Sequence, residues 1–215
     1  MSRSSRASRP AGTRAASVAG AAAALLLAAA SPQALAAWNE STDGDFSNDG
    51  FAASVVSLSA GSNVIWGATG RAVPGGPVDL DYFTITVPAG YQFSAMMVLE
   101  GTEAVGGGSF IGLMSGTQFT IPPSTGTADG MLGWSLFGSS NVDSDLLALM
   151  ATPSFGSTGF STPLPAGDYV FWVQETAVGS ATYGFDLQVT AVPEAPTALA
   201  LMGGLALLAG ALRRR

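Results

Sequence analysis

Between residues 51 and 191, apolar side chains recur at every second position in short runs, broken by Gly, Pro, Ser and Asn, with no sustained 3.6-residue period. The run 81–87 (DYFTITV) alternates most cleanly, with Phe83, Ile85 and Val87 on one face and Tyr82, Thr84 and Thr86 on the other. The same reading predicts strands over 51–58, 63–66, 91–99, 110–114, 117–121, 131–137, 168–175 and 181–191. On the last of these Tyr183, Phe185, Leu187 and Val189 face inward. Pro88-Ala89-Gly90 and Pro165-Ala166-Gly167 supply turns, and the 28 glycines suit many more. One short helix is expected over 143–150, capped by Asp143 and carrying Leu146, Leu147, Leu149 and Met150. Short strands at this spacing predict an all-β fold, an antiparallel β-sandwich.

Both ends depart from this texture. Residues 1–14 are rich in Arg and Ser, residues 15–30 carry no charge, and Ser31-Pro32 breaks the run. Small residues at Ala34, Ala36 and Ala37 then suit signal peptidase, which predicts a secretory leader over 1–37 and an exported domain over 38–191. The tail, 192–215, opens with Val192-Pro193-Glu194-Ala195-Pro196, continues without charge from Thr197 to Leu212, and ends in Arg213, Arg214 and Arg215. Sixteen residues of helix reach about 24 Å, short of a bilayer core of about 30 Å; Ala195, Pro196 and the snorkelling arginines bring the segment to marginal spanning. The arginines would remain on the cytoplasmic side.

Charge narrows the chemistry. The stretch 38–192 holds fourteen acids and one base, Arg71, for a net charge of −13. Nucleic-acid binding is excluded, because it requires clustered cations on the folded surface. The chain has no Lys, His or Cys, which removes thiol nucleophiles, imidazole bases, amine catalysis, Cys/His zinc sites and disulfides together.

The Pro193-Glu194 dipeptide, short apolar helix and terminal arginine cluster together resemble the PEP-CTERM sorting tail of Gram-negative bacteria, which exosortase reads. Val192, Pro193, Glu194 and Thr197 match the family pattern, while Ala195 stands at its second proline and Pro196 follows one later. The resemblance implies a protein transiently anchored in the inner membrane and then processed by exosortase. Its destination would be the cell envelope surface or the extracellular matrix, with an expected link to exopolysaccharide and biofilm. The segments DLDYFTITVPAGYQ and LPAGDYVFWVQE, with ATYGFDLQV, look like strands of bacterial pre-peptidase C-terminal (PPC-like) jelly-roll domains. That likeness implies an accessory β-sandwich rather than an enzyme.

Two ligand classes accompany this expectation. PPC-like domains sometimes bind Ca²⁺ near their first strand, which points to Asp79 and Asp81, spaced so that both carboxylates project to one side of an extended segment. Asp43, Asp45 and Asp49 are next in line; they begin like an EF-hand loop but have Asn48 at its sixth position and Ser54 at its twelfth. Carbohydrate binding would use Trp38, Trp66, Trp134 or Trp172 as stacking platforms, although Trp172 sits mid-strand where core packing is the ordinary role. A glycoside hydrolase running on paired carboxylates is the remote alternative.

Overall fold

A computed structural model describes residues 35–193. Most of the expected leader, including Ala34, and the tail from Glu194 onward lie outside the described residues. Among the described residues, no helix is long and apolar enough to cross a membrane.

The fold is all-β and mostly antiparallel. Its strands are β1 (Leu35–Asn39), β2 (Ser54–Val56), β3 (Gly61–Arg71), β4 (Val78–Val87), β5 (Tyr91–Val98), β6 (Ser109–Ser115), β7 (Gly133–Phe137), β8 (Gly167–Gln174) and β9 (Gly179–Ala191). They join in one sheet of order β5-β9-β3-β4-β8-β6-β7, with β1 added parallel to β3 and β2 parallel to β4. The sheet is curled. Its two halves meet where Gly70 and Arg71 pair with Asp79 and Val78. Beyond that contact β3 runs along β9 for its full length, while β4 leaves to pair with β8.

The inner faces of both halves share one core. Phe83, Ile85 and Val87 of β4 meet Phe93 and Met96 of β5, Phe171 and Val173 of β8, and Phe185 and Leu187 of β9. Phe83 stacks on Phe171 at 4.9 Å, and Phe93 meets Phe171 edge-on at 6.2 Å. Each such side chain withdrawn from water contributes about 1.5–3 kcal/mol. The inward set expected on β9 (Tyr183, Phe185, Leu187 and Val189) is buried as its alternation requires.

Three expectations are corrected. Residues 117–121 form no strand: Phe119 is buried on the outer face of the sheet against Tyr82 and Trp172, and its N–H donates to the Gly50 carbonyl at 2.7 Å. This arm gives Tyr82 an apolar partner on the face that alternation alone assigns to solvent. The strand expected over 51–58 shrinks to β2, because Gly50–Ala52 turn as a 3₁₀ segment capped by Asp49. The short helix spans Leu146–Met150, and its cap is Asp145, which accepts from the Leu147 N–H at 3.0 Å. Asp143 adopts φ 65°, outside the extended conformation of an N-cap.

Candidate metal centre

The acidic residues near the first strands divide into those that shape turns and those that converge. A four-residue helical turn, α1 (Glu40–Asp43), follows β1 directly. Asn39 caps it by accepting from the Ser41 N–H, and Asp43 accepts from the Asn39 N–H at 2.7 Å. Trp38 stacks on Phe46 at 5.1 Å and donates its indole N–H to the Gly44 carbonyl, which closes the loop after α1. Asp49 accepts from the Phe51 N–H. Asp43 and Asp49 therefore serve the backbone as caps.

Glu40, Asp45 and Asp81 converge. One carboxylate oxygen of each lies within 4.8 Å of the other two. Glu40 is held by the sheet: β1 pairs with β3 up to Asn39 opposite Trp66, and the Glu40 Oε2 then accepts the Ala68 N–H at 2.6 Å. Its Oε1 accepts from the Phe46 N–H at 3.1 Å. Asp81 projects from β4 into the interior with no solvent exposure. Its Oδ2 accepts the Tyr183 hydroxyl at 2.7 Å, while its buried Oδ1 has no hydrogen-bond partner. Asp45 is exposed and closes the group from the solvent side.

The electrostatics follow from this crowding. Burial, then the negative charges of Glu40, Asp79 and Asp45, pushes the Asp81 carboxyl up to about 9, against the lowering effect of the Tyr183 hydrogen bond. Glu40 is also raised, by burial and by Asp45 and Asp79, although two backbone N–H groups partly offset this. Burial, the Asp81 and Glu40 charges and its donation to Asp81 hold the Tyr183 phenol well above its ordinary value. The sole basic residue of 38–192, Arg71, lies elsewhere, in an open cleft with Asp79. A buried carboxylate without a cation nearby is either protonated or awaits one.

The structure gathers Asp81 with Asp45 but leaves Asp79 outside the triad. Asp79 instead accepts from the Asn48 side chain at 3.4 Å, and burial followed by the Asp45 charge raises its pKa. Glu40 had no sequence signal. It is a single glutamate distant from Asp81 in the chain, brought close by the parallel pairing of β1 with β3. The donor set is oxygen alone and suits a hard cation, Ca²⁺ above the softer metals, with waters or carbonyls needed to complete six to eight ligands.

Tyr183 is placed by a glycine. Gly67 pairs with Tyr183 across β3 and β9, and a Cβ at Gly67 would lie 2.4 Å from the phenol Cζ and Oη. Gly67→Ala is expected to push the hydroxyl off Asp81 and to cost about 1–3 kcal/mol by overpacking, read as a lower melting temperature.

Of the other expected residues, Ala36 and Ala37 fall within β1, and Val192 and Pro193 follow directly on β9. Trp66 packs over Gly184, where an added Cβ would come within 2.6 Å of its ring. No family model, no curated protein and no solved structure matches the chain.

Proposed function

We propose that this chain is an exported, non-enzymatic component of the bacterial cell surface or extracellular matrix, whose folded domain is organised by a divalent cation, Ca²⁺ by its donor chemistry. On this reading the curled sheet is a PPC-like, jelly-roll β-sandwich, and the tail from Val192 onward is handed to exosortase after transient anchoring in the inner membrane. The observation that carries the cation is the buried, unpartnered Oδ1 of Asp81 beside the Glu40 and Asp45 carboxylates. Glu40 and Asp81 would be the fixed ligands, because sheet backbone and the Tyr183 hydroxyl hold them; Asp45 would close the site from solvent. The ion would offset two of the triad's three negative charges and tie the segment after β1 to β4. Support for the sorting route is the leader, the Val192-Pro193-Glu194 motif and the terminal arginines.

Calorimetric titration of the full chain with CaCl₂, after EDTA treatment and exchange, tests the site. One saturable binding event is expected, lost in Asp81→Asn combined with Glu40→Gln. Absence of heat in the wild type, or heat that survives both substitutions, removes the cation from this reading. Intact mass of the protein from its own host tests the sorting route separately: loss of residues 1–37 or so and of the segment after Pro193 is expected. A mature form that keeps Arg213, Arg214 and Arg215 leaves a tail-anchored protein.

A further inference from the structure

The outer face of the β4-β8-β6-β7 half carries a cleft that the cation does not need. About 200 Å³ in volume, it is bordered by Phe110, Met131, Trp134, Phe155, Trp172 and Gln174, together with the 123–128 loop. Asp81 lies on the opposite, inner face of β4, so the two features are separate. Trp134 is partly exposed; it stacks on Phe110 at 6.0 Å and meets Phe155 edge-on at 5.5 Å.

Phe155 is 75% exposed, the most exposed large hydrophobic side chain among the described residues. Its φ of 49° is left-handed, a conformation that bulky L-residues seldom adopt. The backbone on either side fixes it there. The Phe155 carbonyl accepts from the Ala128 N–H at 2.7 Å, and the Ser154 carbonyl accepts both the Trp134 indole N–H at 3.2 Å and the Ser157 N–H at 2.9 Å. Two aromatic rings are thus held rigidly at the surface where a folding argument alone would have buried or replaced them.

The polar groups that border the cleft are neutral, with one carboxylate just behind them, Asp129, which accepts from the Thr127 hydroxyl at 3.0 Å. Thr125 and Thr127 lie along the 123–128 loop, and Gln174 stands at the end of β8. Trp172, which also borders the cleft, has a buried indole N–H without an acceptor. No basic side chain borders the cleft, and the surrounding stretch 38–192 carries −13, so a polyanion would meet repulsion over about 8–10 Å. Aromatic faces rimmed by hydroxyls and an amide match a polyhydroxylated ring without charge. We infer that this cleft binds a neutral polysaccharide, one sugar ring at a time, with Trp134 and Phe155 as the stacking surface.

The test is native affinity electrophoresis of the full chain in a zwitterionic detergent, since alkyl glycosides would compete. Gels contain dextran, hydroxyethylcellulose, galactomannan or alginate, each with EDTA. At least one neutral polymer is expected to retard the wild type, with EDTA making no difference because the cation centre is not involved. Phe155→Ala, at an exposed position, should keep the wild-type melting temperature and weaken retardation at least tenfold in apparent Kd; Trp134→Ala should weaken retardation as much but also lower the melting temperature, because its ring packs on Phe110 and its indole N–H holds the Ser154 carbonyl. The inference is overturned if no neutral polymer retards the protein, if alginate retards it as strongly, or if Phe155→Ala retains wild-type retardation. It is equally overturned if light scattering shows a dimer that Phe155→Ala abolishes, because the cleft would then be covered by a second copy of the chain.

Discussion

Glu175→Gln is expected to lower the melting temperature of the domain by roughly 10 °C. Glu175 follows β8 with no solvent exposure, yet it is the best-satisfied acid of the described residues. Its Oε1 accepts the N–H groups of Thr176 at 2.7 Å and Ala177 at 2.9 Å. Its Oε2 accepts the Val105 N–H at 3.0 Å and the Ser109 hydroxyl at 2.9 Å. One carboxylate thereby fastens the turn between β8 and β9 to the glycine-rich loop that leads into β6. Burial pushes its pKa up, but the donors of Val105, Ala177, Ser109 and Thr176 outweigh burial and hold it below the ordinary value.

An amide of the same shape keeps one acceptor and aims an NH₂ group at donors. Hydrogen bonds to a charged group contribute about 1.5–3 kcal/mol each, and orphaned buried donors cost about 1–3 kcal/mol. A loss of about 3 kcal/mol or more follows, at about 2–4 °C per kcal/mol for a domain of this size. Circular dichroism melts measure it; a shift below about 2 °C would show that the loop and turn hold without the carboxylate. Because the folded pKa is depressed, the stabilisation by Glu175 is present above its unfolded pKa and is lost as pH falls through the folded value.

The strands were legible because burial imposes alternation, which β9 shows along most of its length, while β4 keeps the sequence alternation although its outer face is covered as well. Where prediction failed, the cause was a contact made by a distant segment. Phe119 reads as a strand residue in isolation, but it covers Tyr82 from an irregular arm. Asp143 reads as a helix cap, yet the turn places Asp145 there. The metal centre was half legible for the same reason. Asp81 stands out as an acid in an apolar strand and Asp45 as one of a local cluster. Glu40 becomes a partner only through β1, a strand that lies at the boundary of the expected leader and has no alternating pattern to announce it. In the outer cleft, Trp134 and Trp172 were visible as aromatics, while Phe155 depends on a left-handed backbone that no residue spacing reveals.

The second large effect joins pH to the cation. Asp81 titrates near about 9 in the folded state, raised chiefly by burial and then by Glu40, against an unfolded value near about 3.9. A raised folded pKa means that the stabilisation is complete below the unfolded value and is lost as pH climbs through the folded one. In EDTA, therefore, the melting temperature should fall steadily from about pH 5 to about pH 9, because folding must return to Asp81 a proton that the unfolded chain has released rather than leave a bare charge beside Glu40 and Asp45. The raised pKa values of Glu40 and Asp79 act with the same sign. Glu175 acts with the opposite sign but outside this window, below its unfolded value.

Calcium competes with the proton at the triad, so its benefit should grow over the same range. At a hundred times Kd it adds about 2.7 kcal/mol, or roughly 5–10 °C. That shift should be small near about pH 5, where Asp81 is protonated, and full near pH ~8–9, where displacing its proton costs little. Asp81→Asn supplies a neutral group of the same shape that still accepts from Tyr183. The variant should melt higher than the wild type in EDTA at alkaline pH, lose most of the downward slope, and show no calcium shift. A wild-type melting temperature that rises with pH in EDTA, or a calcium shift equal at both ends of the range, would show that Asp81 is ionised without a cation and would sink the centre as drawn.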